Sequence, residues 1–221
     1  MTHPIWPFFD LRVTTPRLEM RYIDDSLATQ LALLAAQGIH DPQFRPFLIP
    51  WSSVPSPQLE RNALQHYWKA RAGFSPTDWD IQFAVLVDGT VVGTTALIAK
   101  EFPIVRSFES GSWLGREHQG RGIGKEMRLA TLHLGFVGLG ALWATTSAWN
   151  DNGPSLGVTR SLGYAANGTS RGNRDGQPGQ HSRFEMSRAS WEERLRRDDI
   201  EILGLEECLA LLELNATSTG R

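Results

Sequence analysis

Three glycines at alternate positions, Gly120, Gly122 and Gly124, fall in one short run with Gln119, Arg121, Ile123 and Lys125, and an amphipathic stretch begins directly after them. Small residues at a strand-to-helix turn let successive backbone N–H groups converge on one anion, and the helix N-terminus adds a favourable dipole. Arg116, Arg121 and Lys125 surround the turn; they could pair with a diphosphate or a ribose phosphate, or simply solvate a helix start. Spacing decides between the phosphate-binding signatures. A P-loop ending on Gly124-Lys125 needs glycine at 119 and a hydroxyl residue at 126, where the chain has Gln119 and Glu126. A dinucleotide fingerprint starting at Gly120 needs glycine where Lys125 stands, and it belongs in a first βαβ unit rather than this late in the chain. What remains is Gln119-x-x-Gly122-x-Gly124, an anion cradle suited to a diphosphate.

A second pattern competes on letters alone. Gly153-Pro-Ser155-Leu-Gly157 fits the nucleophile-elbow form, and Asp175 and His181 follow in the required order. Three polar residues separate the preceding strand from it, whereas an elbow needs an immediate sharp turn, so a serine hydrolase is the weaker reading. Asn152 can cap the helix that starts there. His118, beside Gln119, could bind phosphate or be an ordinary loop residue, and His40 and His66 carry less signal. His, Cys and carboxylate residues nowhere show metal-ligand spacing, so no metal is expected.

The elements that must hold these residues follow from periodicity. An extended segment, Leu11 to Ile23, leads to a helix capped by Ser26, carrying Leu27, Leu31, Leu34 and Ala35 and stopped by Gly38. Five prolines between His40 and Pro57, with Phe44, Phe47 and Trp51 among them, make a stiff aromatic loop. A second helix runs from Pro57 to Ala72. Asp80–Val87 and Thr90–Ile98 flank Asp88-Gly89, a short hairpin signal. A strand from Val105 to Leu114 feeds the cradle. The next helix places Ile123, Met127, Ala130, Leu134 and Val137 toward the sheet, with Lys125, Arg128 and Thr131 turned away. A strand Ala141–Trp149 and a short helix Pro154–Leu162 follow. Two more strands lie near Tyr164–Gly168 and Arg183–Ser187, separated by a polar loop, and the tail from Ser190 reads as a charged helix followed by a possible edge strand.

Composition narrows the function classes. The chain has 221 residues, 41% of them hydrophobic, which suits one domain with a substantial core. Lys and Arg number 22 against 24 Asp and Glu, which opposes a nucleic-acid role. Cys208 is the only cysteine, so no internal disulfide forms, and a cytoplasmic location is expected. The N-terminus lacks the basic and apolar regions of a signal peptide. The nearly uncharged stretch from Leu129 to Asn150 is long enough to span a bilayer, but its glycines and change of period make it a buried helix and strand instead.

Gln119-Gly-Arg-Gly-Ile-Gly124, preceded by Gly111-Ser-Trp-Leu114 and followed by Asn152-Gly-Pro-Ser155 and Leu162-Gly-Tyr164, resembles the GNAT superfamily of acyl-CoA-dependent N-acyltransferases over roughly Leu11 to Ser187. Thr15-Pro-Arg-Leu18, the Asn-x-x-Ser turn and Trp191 resemble its ribosomal-protein N-terminal acetyltransferase branch. GSWLGREHQGRGIGKEMR and HDPQFRPFLIPW resemble an actinobacterial group of the superfamily linked to succinyl-CoA. The resemblance implies an α/β fold of the α+β kind: a mixed, mostly antiparallel sheet flanked by helices and splayed between the family's fourth and fifth strands. The GNAT domain would cover residues 1–189, with a C-terminal extension, 190–221, packed on it. Pantetheine would lie in the splay and the pyrophosphate on the glycine turn.

Carried over residue by residue, the resemblance implies that Gln119, Gly120, Arg121, Gly122, Ile123 and Gly124 present N–H groups to the pyrophosphate, with Lys125 beside them. Trp113 and Leu114 would offer main-chain groups to the pantetheine amides, and Asn152 would cap its helix or bond the pantetheine arm. Glu109 would deprotonate the amine. The family's tyrosine acid is missing between Trp149 and Gly163, and Tyr164 matches a structural aromatic, which leaves Ser155 or water to protonate the thiolate. The aromatic segment Phe44–Trp51 would wall the acceptor side, where Arg45 or His40 would pair with a succinyl carboxylate. The implied function is transfer of acetyl or succinyl from acetyl-CoA or succinyl-CoA to a primary amine, on a small molecule or a protein, within a ternary complex. The implied partners are the acyl-CoA donor and the amine, with no nucleic acid, membrane or metal, and a homo-oligomer is left open. A non-catalytic acyl-CoA sensor is the alternative, separable by Glu109→Gln.

Overall fold

A computed structural model of the chain describes residues 3–214. The opening extended segment is two strands. Pro16 cannot donate to a ladder, and the chain turns there, pairing Arg12–Thr14 (β1) antiparallel with Glu19–Tyr22 (β2), Val13 opposite Met20. Asp24, rather than Ser26, caps the first helix, Asp25–Gln37 (α1); its carboxylate accepts from the Leu27 N–H at 2.7 Å. Gly38 follows as expected. Gln58–Ala72 (α2) packs on α1 through a cluster that includes Leu31, Ala32, Ala63 and Tyr67.

Asp88 and Gly89 both take positive φ, 49° and 75°, and join Trp79–Val87 (β3) to Thr90–Ala99 (β4). A single helical turn, Phe102–Val105 (α3), comes before Ser107–Leu114 (β5), so the strand starts later than expected. Ile123–His133 (α4) continues as a π turn over Leu134–Gly138, where Gly135 lies against the Phe108 ring in a space that a Cβ would fill. Then come Trp143–Trp149 (β6), Gly153–Ser161 (α5), Ala165–Arg174 (β7) and Gln177–Ser187 (β8). Arg188–Arg194 (α6), Glu201–Leu203 (β9) and Glu206–Leu211 (α7) complete the described chain.

Three expectations change. The polar stretch between the last two core strands is ladder, not loop: β7 and β8 pair down to a tight turn at Asp175-Gly176. Its glycines hid the alternation, and they are needed because the Trp149 ring lies over Gly172 and Gly179. Val137 is 42% exposed because the π turn rotates it off the stripe. Arg128 and Thr131, expected outside, are buried. The Thr131 hydroxyl is satisfied by the Met127 carbonyl at 2.9 Å and by Thr95 at 3.0 Å.

The nine strands form one sheet in the order β7-β8-β6-β5-β4-β3-β2-β1-β9. Every pairing is antiparallel except that of β5 with β6, which is parallel and limited to Ser107–Glu109 against Trp143–Thr145. Beyond those residues the two strands separate into a V, as the mixed, splayed sheet requires. β9 adds to the edge of β1, Val13 opposite Ile202. Residues 215–221 of the expected C-terminal extension lie outside the described residues. Among the described residues no helix is long and apolar enough to cross a membrane.

Candidate active site

The glycine turn is an open cradle. Gly120 and Gly122 sit at φ +73° and +79°, a region that costs a side-chain-bearing residue about 1–2 kcal/mol. Among the described residues the backbone N–H groups of residues 120 to 125 find no protein acceptor, and the first bond of the helix is donated by Glu126 to the Gly122 carbonyl at 3.2 Å. Gln119 plays a different part from the one expected. Its N–H closes a turn on the Arg116 carbonyl, and its carboxamide donates to the carbonyls of Ile39 at 2.8 Å and Leu114 at 2.9 Å, so it shapes the cradle from below. Arg116, Arg121 and Lys125 are exposed around the rim. A hollow of ≈ 410 Å³ lined by Leu34, Gln37, Gly38, Arg116 and Glu117 opens beside it.

The cradle is braced from the first hairpin, which the sequence reading did not foresee. Arg17 donates to the Arg121 carbonyl at 3.0 Å and to the Glu126 carboxylate at 3.2 Å, and the Thr15 hydroxyl donates to Glu126 at 2.7 Å. The Thr15-Pro-Arg-Leu18 motif therefore pins the first turn of α4 to β1–β2.

Within the V, strand alternation sets which groups are free. In an antiparallel pair each residue turns both polar backbone groups either toward its partner or away. The Gly115 N–H bonds the Val92 carbonyl on β4, and the Gly111 carbonyl accepts from the Thr95 hydroxyl on β4. The Ser110 carbonyl instead accepts from the Thr146 hydroxyl of β6 at 3.1 Å. Residues 111, 113 and 115 thus face β4, and 110, 112 and 114 face the V.

On the opposite face of the sheet, Glu109, Gly111 and Trp113 lie in line. The exposed Glu109 carboxylate accepts from the Ser147 hydroxyl at 3.1 Å. Phe47, Trp51 and Trp113 pack in succession with their rings tilted by 43° and 42° and their centroids 5.2 and 5.9 Å apart. The aromatic loop is held over this face by its own carbonyls. The Phe47 carbonyl accepts from the Trp149 indole at 2.9 Å, Pro46 from the Asn152 carboxamide at 3.3 Å, and Arg45 from Arg174 at 2.7 Å. Asp80 stands in the same cross-sheet row as Glu109, through Ile98. Burial pushes its carboxyl pKa up, against the opposing effects of His66 and of Gln82, which donates at 2.7 Å.

The GNAT acetyltransferase domain matches residues 17–165, well over half of the chain. The chain belongs to the GNAT acetyltransferase family. Solved structures with this fold include the RimL ribosomal-protein alpha-N-acetyltransferase in complex with coenzyme A, 16% identical, with TM-score 0.65 over 80% of this chain and 97% of that one. A GCN5-related N-acetyltransferase from Brucella melitensis is 20% identical, with TM-score 0.64 over 82% of this chain and 80% of that one. The microcin C7 self-immunity acetyltransferase MccE, in complex with acetyl-CoA and AMP, is 14% identical, with TM-score 0.62 over 78% of this chain and 93% of that one.

Against the roles that GNAT resemblance implied, several residues are placed differently. Trp113 turns its backbone to β4, so Ser112 and Leu114 are the residues whose main chain faces the V; the Leu114 carbonyl is already held by Gln119. Ser112 carried no sequence signal because the alternation depends on register with β4. Asn152 caps α5, accepting from the Ser155 N–H at 3.2 Å, and its amide reaches Pro46, so both ends of the side chain are engaged. The Ser155 hydroxyl has no hydrogen-bond partner among the described residues. His40 bonds the Asp41 carbonyl and the Ser52 hydroxyl, and Arg45 is ion-paired with Asp175. That ion pair also occupies Asp175, and His181 packs on the Trp149 ring rather than bonding Ser155; no Ser–His–Asp relay is assembled. His118 sits beside Glu117, 3.5 Å from its carboxylate. Among the described residues no three potential metal ligands cluster.

Proposed function

We propose that this GNAT protein transfers an acetyl group from acetyl-CoA directly to a primary amine. The observation that carries this reading is the run of six backbone N–H groups, 120 to 125, left without acceptors among the described residues at the start of α4 and rimmed by three cations. Converging amides and a helix N-terminus suit a diphosphate, and the adjoining V offers strand-edge groups to the amides of a pantetheine arm. RimL and MccE, which share the fold, hold coenzyme A and acetyl-CoA. Acetyl is favoured over succinyl because Arg45 and His40 are both engaged.

The acceptor nitrogen must be neutral to attack. Glu109 takes its proton, directly or through a water, as the C–N bond forms at the thioester carbon. The C–S bond then breaks and the coenzyme A thiolate leaves, protonated by the Ser155 hydroxyl or a water. The aromatic wall of Phe47, Trp51 and Trp113 bounds the side from which the amine enters.

Thermal melts with coenzyme A and acetyl-CoA test the donor. A ligand at one hundred times its Kd adds about 2.7 kcal/mol to native-state stability, and a chain that melts at the same temperature with and without either compound is not a coenzyme A enzyme. Glu109→Gln should keep that ligand-induced shift and lose about 10²–10⁴-fold in kcat. Unchanged turnover would place the base elsewhere, and a ligand shift without turnover in the parent protein would make it a sensor.

A further inference from the structure

Arg128 is buried in α4 without a counterion among the described residues. It is 5% exposed, and among the described residues its Nε and Nη1 have no hydrogen-bond partner and its Nη2 reaches only the Ser112 hydroxyl, at 3.5 Å. A guanidinium withdrawn from water and met by one long hydrogen bond carries a large desolvation penalty. Its neighbours on the helix show where it points. Gly124, one turn earlier, lies beside Leu114 and Val158 of α5, and Gly135, two turns later, lies against Phe108. Residues 124, 128 and 135 share one flank of a 3.6-residue helix. The guanidinium therefore lies over β5 at the level of Ser112, beyond Glu109, the last β5 residue that pairs with β6.

We propose that Arg128, with the main chain of Ser112, binds an amide carbonyl of the pantetheine arm and so selects for the donor; this rests on the donor reading above. The arm brings two secondary amides into the V, and their carbonyl oxygens are acceptors of the kind that Nε and Nη1 lack. The diphosphate is served by six N–H groups and three exposed cations closer to the helix start. The acyl end has to reach Glu109, about 10 Å farther along β5 at the rise of an extended strand, which puts it beyond Arg128.

Isothermal calorimetry and melting of the full chain, as Arg128→Met and Arg128→Lys, decide the matter. The probes are coenzyme A, acetyl-CoA, succinyl-CoA and 3′-phosphoadenosine 5′-diphosphate, which carries the diphosphate but no arm. Arg128→Met should melt, without ligand, at or above the temperature of the parent protein, because an unpaired buried charge is removed. It should bind coenzyme A and both acyl-CoAs at least tenfold more weakly, raise the KM for acetyl-CoA more than it lowers kcat, and bind the nucleotide diphosphate as before. Arg128→Lys should recover part of the affinity. A lower melting temperature with unchanged coenzyme A binding would make Arg128 structural and overturn the proposal. So would an equal loss for the nucleotide diphosphate, or a loss confined to succinyl-CoA, which would move the contact to the diphosphate or to the acyl carboxylate. If Arg128→Met does not fold, Arg128→Lys carries the same comparisons, with affinity equal to the parent's overturning the proposal. A parent protein that does not bind coenzyme A overturns the donor reading itself, an outcome distinct from equal binding by parent and variant.

Discussion

Asp80, half-buried in the cross-sheet row that passes through Ile98 to Glu109, shows how surroundings set the acidity of one side chain. Burial is the larger influence on it and raises its pKa, while His66 and Gln82 pull the other way. A carboxyl whose folded pKa lies above its unfolded value favours the fold while protonated. That contribution is complete below the unfolded pKa, near 3.8, and is lost as pH rises through the folded one. Asp80→Asn should therefore gain in melting temperature relative to the parent between pH 4 and pH 7; a difference that stays constant across that window would contradict the assignment. The same scale shows what could be read in advance. The cradle glycines were legible because positive φ is a local demand that few other residues meet. The burial of Arg128 was not, because residue type and helical period said solvent, and only the docking of that flank on β5 at Ser112 reverses it.

Between elements, the contact that matters most to the cradle crosses more than a hundred residues of sequence. Arg17, leaving β1–β2, holds the Arg121 carbonyl and, with Thr15, the Glu126 carboxylate in the first turn of α4. Arg17→Ala should destabilise the fold by about 1–3 kcal/mol, the usual result of removing a hydrogen-bonded partner from a buried charged group. It should also raise the KM for the donor more than it changes kcat, because the six N–H groups would no longer be held in one orientation. Equal KM values for variant and parent would show that α4 holds the cradle unaided. The order of strands and helices was readable from period and turn chemistry, including the Asp88-Gly89 hairpin and the helix ending at Gly38. The β7–β8 ladder was hidden by glycines that exist to fit Trp149, and the Trp113-to-Ser112 shift by a register that only pairing with β4 defines.

Across the whole molecule, the last described residues close the edge of the sheet farthest from the β7–β8 pair. β9 pairs with β1, and α7 behind it buries Cys208, whose thiol pKa is pushed up to about 12 chiefly by burial and whose Sγ–H points to the Gly204 carbonyl at 3.2 Å. Alkylation of Cys208 by iodoacetamide at neutral pH should be negligible in the native protein and should rise with urea at the midpoint reported by tryptophan fluorescence. An earlier rise would mean that the C-terminal segment undocks before the sheet melts. The opposite side of the molecule obeys another rule. Trp149, Asn152 and Arg174 grasp the aromatic loop by the carbonyls of Phe47, Pro46 and Arg45, and every amino acid has a carbonyl. Three of that segment's anchors thus tolerate any side chain, whereas the Arg45–Asp175 ion pair and the contacts among Phe47, Trp51 and Trp113 do not. Positions of the loop outside those side-chain contacts, such as Gln43 and Leu48, can therefore change their side chains while the chain path over the sheet is kept.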